Sequence, residues 1–180
     1  MTPGDFDALF DQFHRTVFRL EALPAYAVGG AEERRIEAWK AGQPRPERSV
    51  RTSPWMARIA TSTVIGGKAW SRLRVVDEPL TEYQRYQLDS YRESQTVGEE
   101  IRLVRRAELG WPVLSDFWLF DAGTVDAYAA LMHYGEEGQF EGAELVSAGD
   151  ELLDDMVRVQ RRLWSGAVPL AEFLAQVGRG

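Results

Sequence analysis

Four arginines on two predicted strands are the residues best suited to bind a ligand. Arg72 and Arg74 alternate along one strand, so their side chains lie on the same side of it. Arg102 and Arg105 belong to a second strand that we expect beside the first, and Arg106 follows at its end. A guanidinium group holds a carboxylate or a phosphate at two points. Arg72, Arg74, Arg102 and Arg105 are therefore the candidate binding residues, and their ligand would be an anion.

Ion pairs within the protein are the simpler interpretation of the same arginines. A parallel sheet that is covered on both sides has apolar residues on both faces, so arginines in it need solvent or a partner. Four carboxylates near the predicted strands are possible partners: Asp77, Glu78, Asp116 and Asp126. Because most surface charges are solvated or loosely paired, the sequence favours this structural role over an anion site.

Asp116 and Asp121 bracket a short apolar strand and form the second candidate group. Two carboxylates can serve as a general acid and a general base. Five residues of strand, however, separate this pair by roughly 16–17 Å, whereas even inverting glycosidases keep their carboxylates within about 10 Å. We therefore interpret the two aspartates as a strand boundary and a turn-forming residue.

Other catalytic and metal-binding patterns are absent from the sequence. The chain has no cysteine and two histidines, His14 and His133, and neither has a partner at metal-ligand spacing. No serine lies in a GxSxG motif. Gly66-Gly67-Lys68 belongs to neither a Walker nor a dinucleotide-binding motif and is interpreted as a turn. His133 is interpreted as a strand-end residue. The sequence thus favours a non-enzymatic protein and predicts no cofactor and no metal site.

Length, composition and charge place the chain among single soluble domains. With 180 residues, of which 44% are hydrophobic, it fits one globular domain spanning 1–180. It has no apolar run of membrane-spanning length and no signal-peptide pattern at its N-terminus, so we expect a cytoplasmic protein without membrane contact. A net charge of −7 argues against direct binding of nucleic acid.

The segment from Ser71 to Met132 has the clearest pattern of secondary structure. Strands are predicted at 71–76, 101–105, 116–121 and 124–132. A helix from Leu80 to Thr96, begun by a Thr81–Gln84 capping box, separates the first two strands. Strand, helix and strand predict a βαβ unit with parallel strands, and the short connection at Gly123 predicts a hairpin. The fold class is therefore α/β (α+β): a single domain with a mixed β-sheet.

Helices are predicted on both sides of this segment. Apolar residues at helical spacing predict a first helix capped by Asp5 and continuing to Leu20. These residues are Phe6, Leu9, Phe10, Phe13, Val17 and Leu20. Shorter helices follow Gly29-Gly30 and Ser53-Pro54. After a further strand at Phe140 to Val146, a helix is capped by Ser147 or Asp150, and the last begins at Pro169.

Three elements of the sequence resemble a large actinobacterial family of unknown function. Arg72 to Tyr83 resembles the RVRVVSEPLTDY element of that family. Gly98 to Arg102 resembles its GEDIR element, and Asp116 to Asp121 resembles its DFWLFD element. The resemblance extends from about Asp5 to Trp164, and none of its elements is catalytic.

This resemblance implies a protein partner. Members of the family are typically encoded beside helix-turn-helix regulators of the Xre type, in modules that include toxin–antitoxin-like ones. Our first hypothesis is therefore a non-enzymatic regulatory protein that binds such a helix-turn-helix regulator. The alternative is a small-molecule anion binder or an enzyme that uses the arginines. Arginines that converge in a concave pocket would favour the alternative, and an exposed apolar patch would favour the interaction protein.

Overall fold

The computed structural model describes residues 1–112 and 115–178, and these residues form a seven-stranded mixed sheet flanked by helices. The strands are β1 (Thr16–Glu21), β2 (Ala69–Val76), β3 (Glu99–Arg105), β4 (Asp116–Phe120), β5 (Tyr128–Tyr134), β6 (Phe140–Val146) and β7 (Val168–Pro169). The helices are α1 (Pro3–Gln12), α2 (Gly30–Lys40), α3 (Pro54–Val64), α4 (Glu82–Gln95), α5 (Glu151–Gly166) and α6 (Leu170–Val177). The strand order is β6-β5-β4-β1-β2-β3-β7, and β1, β2 and β3 run parallel to one another.

The predicted βαβ unit and hairpin are confirmed. β2 and β3 are parallel neighbours joined through α4, and Arg74 is in register with Leu103. Thr81 begins α4 with the predicted capping box, in which its hydroxyl accepts the backbone N–H of Gln84 at 3.1 Å. β4 and β5 pair in antiparallel fashion. The strand predicted at 124–132 corresponds to β5. It begins at Tyr128 rather than at residue 124, because hydrogen-bonded turns lengthen the connection from β4.

The prediction of one helix from Asp5 to Leu20 is wrong. α1 ends at Gln12, and β1 follows as a strand in the middle of the sheet. The spacing of the apolar residues is compatible with a helix and with a strand buried on both faces. In the strand, Val17 and Leu20 lie in different hydrophobic clusters, on opposite faces of the sheet. The helix cap is Thr2, and Asp5 is the third residue of its capping box.

The two faces of the sheet bury different kinds of residue. On one face, called the apolar face, Leu20, Leu73 and Leu119 pack with Met156 and Leu163 of α5. The opposite face lies beneath the helices that connect the parallel strands and beneath α1. There α1 and α3 cover a cluster of aromatic and aliphatic side chains at one end. The other end of this face carries charged residues and is called the charged face below.

The helices in the described ranges are all too short or too polar to cross a membrane.

Candidate functional site

Six charged residues are buried on the charged face. Strand alternation places them there, because Arg19 is in register with Arg72, and Glu21 with Arg74, on the parallel strands β1 and β2. The set consists of three arginines and three carboxylates, each at most 9% exposed: Arg19, Arg72, Arg74, Glu21, Glu99 and Asp116. The formal charges of the six residues therefore balance.

Ion pairs join most of this set. Arg72 donates from Nε to Glu99 Oε1 at 2.8 Å and from Nη1 to Glu21. Arg19 donates from Nη2 to Asp116 Oδ2 at 2.9 Å, and its Nε lies 3.8 Å from Glu21. Arg72 thus has two internal partners, neither of which the sequence suggested.

Tyrosine hydroxyl groups donate to two of the three buried carboxylates, whereas Oε2 of Glu99 has no hydrogen-bond partner among the described residues. Tyr91 donates to Glu21, and Tyr26 donates to Asp116. Burial and the neighbouring carboxylates raise the pKa of both phenols well above the ordinary value, although nearby arginines oppose the shift. Both hydroxyl groups are therefore protonated donors at neutral pH.

Glu21 is the carboxylate on which the network converges. Burial raises the pKa of its carboxyl group, but Arg72, Arg19 and Arg74 lower that pKa by more, with help from the Tyr91 hydrogen bond. The resulting pKa is below the ordinary glutamate value. Glu21 is therefore ionised at neutral pH even though the side chain is buried.

Arg74 differs from Arg19 and Arg72, the other two arginines of the charged face, because it has no carboxylate partner. Its side chain is 0% exposed, and no carboxylate oxygen of the described residues lies within 4 Å of it. Nη2 is 3.5 Å from the carbonyl oxygen of Pro24, which is a long contact. Nε and Nη1 have no hydrogen-bond partner among the described residues. The guanidinium carbon lies 5.3 Å from the centroid of the Tyr26 ring.

A cleft of about 550 Å³ lies outside the carboxyl ends of β1 and β2, and the Tyr26 ring that lines it also lies over the guanidinium group of Arg74. Apolar and aromatic side chains in its lining include Tyr26, Val28, Ile36 and Tyr83, and its charged residues are Glu33, Glu37, Lys40 and Glu82. Ligands of open α/β sheets bind at this edge, beyond the carboxyl ends of the parallel strands.

The four arginines predicted as a ligand site do not converge. Arg102 is in register with Leu73, which places it on the apolar face, opposite Arg72 and Arg74. It pairs with Glu100 at 2.8 Å and lies 4.5 Å from the centroid of the Trp164 ring. A strand pattern alone does not reveal this, because the register between two parallel strands decides which of their residues share a face.

Arg105 lies at the far end of β3 and lines a different cleft, of about 440 Å³, with Arg85 and Phe173. Its nearest carboxylates are Glu108 at 3.5 Å and Glu78 at 3.8 Å. Of the carboxylates suggested as partners by the sequence, Glu78 meets Arg105, and Asp77 meets Arg106 at 2.7 Å.

Sequence reasoning missed Arg19 and Glu21 because their segment was predicted to be helical. The signal was present, since polar residues at 19 and 21 alternate with Phe18 and Leu20. Asp116 belongs to the charged network through Arg19. The backbone N–H of Ala22 also donates to Asp116 Oδ1, at 2.7 Å.

Asp121 lies in the turn after β4, as the sequence predicted, and its carbonyl accepts the Thr124 N–H at 3.1 Å. The sequence did not predict the second role of this residue, which belongs to its carboxylate. Its carboxylate accepts the backbone N–H groups of His14, Arg15 and Thr16 at 2.7, 2.7 and 3.0 Å. These bonds fix the turn between α1 and β1. His133 lies within β5, exposed and 3.6 Å from Glu144, rather than at the strand end. Within residues 1–112 and 115–178, no group of three or more histidine, aspartate or glutamate side chains is placed to hold a metal ion.

A second surface, called the acidic edge, consists of β6, the turns on either side of it and the first five residues of α5. Residues 135–155 contain eight exposed carboxylates and no lysine or arginine. Since the whole chain carries −7, all other residues together carry a net charge of +1. The eight are Glu136, Glu137, Glu141, Glu144, Asp150, Glu151, Asp154 and Asp155.

Apolar side chains and an open strand edge accompany these charges. Phe140 and Leu145 are each 48% exposed on β6, and Leu152 is 38% exposed on α5. β6 is the last strand of the sheet, so its outer edge has no strand partner within the described chain. A groove of about 500 Å³ runs between α1 and β6, with Leu9 and Leu145 in its walls.

Comparison with protein families gives one match, which covers most of the chain. A family model described as "Domain of unknown function (DUF6879)" matches residues 4–175. The search of curated proteins finds no match to this chain.

Proposed function

The chain belongs to the DUF6879 family, and on that premise we propose that it is a non-enzymatic regulatory protein whose acidic edge binds a basic protein partner. The partner in this proposal is a helix-turn-helix transcriptional regulator. The observation that carries the proposal is the concentration of the net negative charge in residues 135–155. The charged face does not offer an interaction surface, because its side chains are buried and mostly paired with one another.

Charge complementarity supports a protein partner over DNA. Helix-turn-helix proteins carry basic residues that contact DNA phosphates. A surface with eight carboxylates repels DNA but attracts such a basic surface, and electrostatic attraction increases the rate of association. The protein therefore competes with DNA for the regulator in this mechanism.

The acidic edge also offers contacts that do not depend on charge. Unpaired backbone groups on the outer edge of β6 can accept an added strand, which is a common mode of peptide recognition. Phe140 and Leu145 supply apolar area beside those groups. Short range and long range interactions thus favour the same surface.

The finer parts of the proposal come from the sequence resemblance. It implies an actinobacterial source, a gene beside an Xre-type regulator and a cytoplasmic location, where such regulators meet DNA. The genes that flank this one test the first two of these statements directly. Flanking genes without any helix-turn-helix regulator would contradict this choice of partner.

A titration of the protein with the regulator from its own operon tests the interaction. We expect a complex in isothermal titration calorimetry whose affinity falls as salt is added, because salt screens exposed charges beyond about 8–10 Å. The triple variant Glu141→Gln, Glu144→Gln and Glu151→Gln removes three charges from the acidic edge. It should weaken binding by about tenfold or more.

A matched variant removes the same charge elsewhere. Glu33, Glu37 and Glu172 are exposed and lie outside the acidic edge, so their replacement by glutamine should leave the affinity within about twofold. Equal losses in both triple variants would reject the acidic edge as the binding surface. Micromolar, salt-sensitive binding of random duplex DNA by the isolated protein would reject the mechanism itself.

A further inference from the structure

Arg74 is a buried cation that has no carboxylate partner of its own. Arg72 contacts two carboxylates and Arg19 contacts Asp116 closely, but Arg74 has only the neighbouring Glu21 on β1, beyond salt-bridge distance. An arginine buried in this way loses its hydration without gaining a close partner, which is unfavourable for folding. Buried polar groups without partners are rare in proteins and require an explanation.

The position of Arg74 in the fold suggests that explanation. It is the third residue from the end of β2, and the cleft of about 550 Å³ opens beyond the same end of the strand. The Tyr26 ring lies between the two, because it lines the cleft and also covers the guanidinium group. The Pro24 carbonyl links them further, since it accepts Thr81 Oγ1 at 2.9 Å as well as the long contact from Arg74.

The cover over Arg74 is an irregular segment. Residues 22–29 between β1 and α2 belong to no helix or strand. Hydrogen bonds hold the first part of the segment: Ala22 N–H donates to Asp116, and the Pro24 carbonyl accepts Thr81 Oγ1. In its middle, the Tyr26 hydroxyl donates to Asp116, and Ala27 N–H donates to the Gly138 carbonyl at 3.0 Å. The Tyr26 ring separates the cleft from the guanidinium group, so a ligand in the cleft contacts Arg74 only when it displaces that ring.

We propose that Arg74 anchors a binding site for a small monocarboxylate with an aromatic or aliphatic body, which enters through this cleft and displaces the Tyr26 ring. The guanidinium edge holds the carboxylate at two points. Tyr83, Val28 and Ile36 then contact the apolar body of the ligand. A monoanion fits better than a doubly charged phosphate, because Glu21 is the register neighbour of Arg74 and would repel a second negative charge.

This site is independent of the acidic edge, and its test does not involve the regulator. Benzoate is the probe, and benzamide is its neutral counterpart of nearly the same shape. We expect benzoate to bind the full-length protein saturably at concentrations below about 10 mM. Benzamide should bind at least about tenfold more weakly, because it lacks the charge that Arg74 requires.

Three variants locate the site. Arg74→Met should weaken benzoate binding by at least about tenfold, while its melting temperature stays equal to that of the wild type or rises. Arg105→Met is the matched control, since Arg105 lies in the other cleft, and it should leave benzoate affinity unchanged. Tyr26→Ala removes the cover and should retain or strengthen benzoate binding.

A measurement on the wild-type protein covers the case in which Arg74→Met does not fold. The Nε–H signal of Arg74 in a nitrogen–proton NMR spectrum, assigned with Arg74→Lys, should shift along a saturating curve as benzoate is added. The proposal is overturned if benzoate shows no saturable binding below about 10 mM. It is equally overturned if benzamide binds as well as benzoate, or if the Arg74 signal does not move.

Discussion

The two faces of the sheet bury different kinds of side chain, apolar on one face and charged on the other. On the apolar face, Leu73 and Leu119 pack beneath α5 without any polar group to satisfy. On the charged face, Arg72 and its neighbours are also buried, and all of them except Arg74 have a partner of opposite charge within 4 Å. Burying an ion pair is often no more stabilising than burying apolar groups of the same volume. The difference suggests that the charged face is kept for specificity or binding, whereas the apolar face holds the fold together.

Replacement of Arg72 by methionine should produce the largest loss on the charged face. It leaves Glu99 without its arginine partner, and it leaves Glu21 with the Tyr91 hydrogen bond and the longer contact to Arg19. Removal of one partner from a buried ion pair costs about 3–5 kcal/mol. Urea denaturation of the variant and the wild type at neutral pH measures the loss. A loss below about 1 kcal/mol would show that the network is effectively exposed to solvent.

Leu73→Ala, one residue further along β2, is the matched change on the apolar face. It should cost about 2–5 kcal/mol through lost burial and the resulting cavity. The pH dependence distinguishes the two losses. The pKa of Glu21 is lowered in the folded protein, so the network contributes its full stability above the ordinary glutamate pKa of about 4.3 and loses it as the pH falls through the folded value.

The cost of Arg72→Met should therefore shrink as the pH falls below about 4, because a protonated Glu21 no longer needs the arginine. The cost of Leu73→Ala should stay constant over the same range, because no ionisable group is involved. Parallel pH dependence in the two variants would mean that Arg72 stabilises the protein mainly by packing.

The contrast between the faces was only partly predictable from sequence. The alternation in β2 and β3 and the capping box at Thr81 are local signals, and they predicted the parallel pair and its helix correctly. The central strand β1 was missed because its apolar residues also fit a helix, and the turn that separates it from α1 is bonded to the distant carboxylate of Asp121. The partners of Arg72 and the isolation of Arg74 depend on that strand, so a local pattern did not reveal them.

Asp121→Asn tests the contact that decides between helix and strand in this region. Asparagine keeps one acceptor oxygen but loses the charge that three backbone N–H groups share. Hydrogen bonds to charged groups contribute about 1.5–3 kcal/mol, so we expect a loss of that size in urea denaturation. Asp126→Asn, at an exposed position in the same connection, is the control and should change stability by less than about 0.5 kcal/mol. Equal effects in the two variants would remove the special role of Asp121.

Arg102→Met should have the smallest effect, although Arg102 is an arginine on a central parallel pair, as Arg72 is. Its register neighbour is Leu73, so it leaves the sheet on the apolar side and reaches solvent beside Glu100. Exposed ion pairs contribute about 0–1 kcal/mol, and methionine keeps much of the contact with the Trp164 ring. Urea denaturation should therefore show a loss of at most about 1 kcal/mol, several times smaller than that of Arg72→Met. A loss as large as that of Arg72→Met would mean that Arg102 is buried, and the β2–β3 register on which the division into two faces rests would then be wrong.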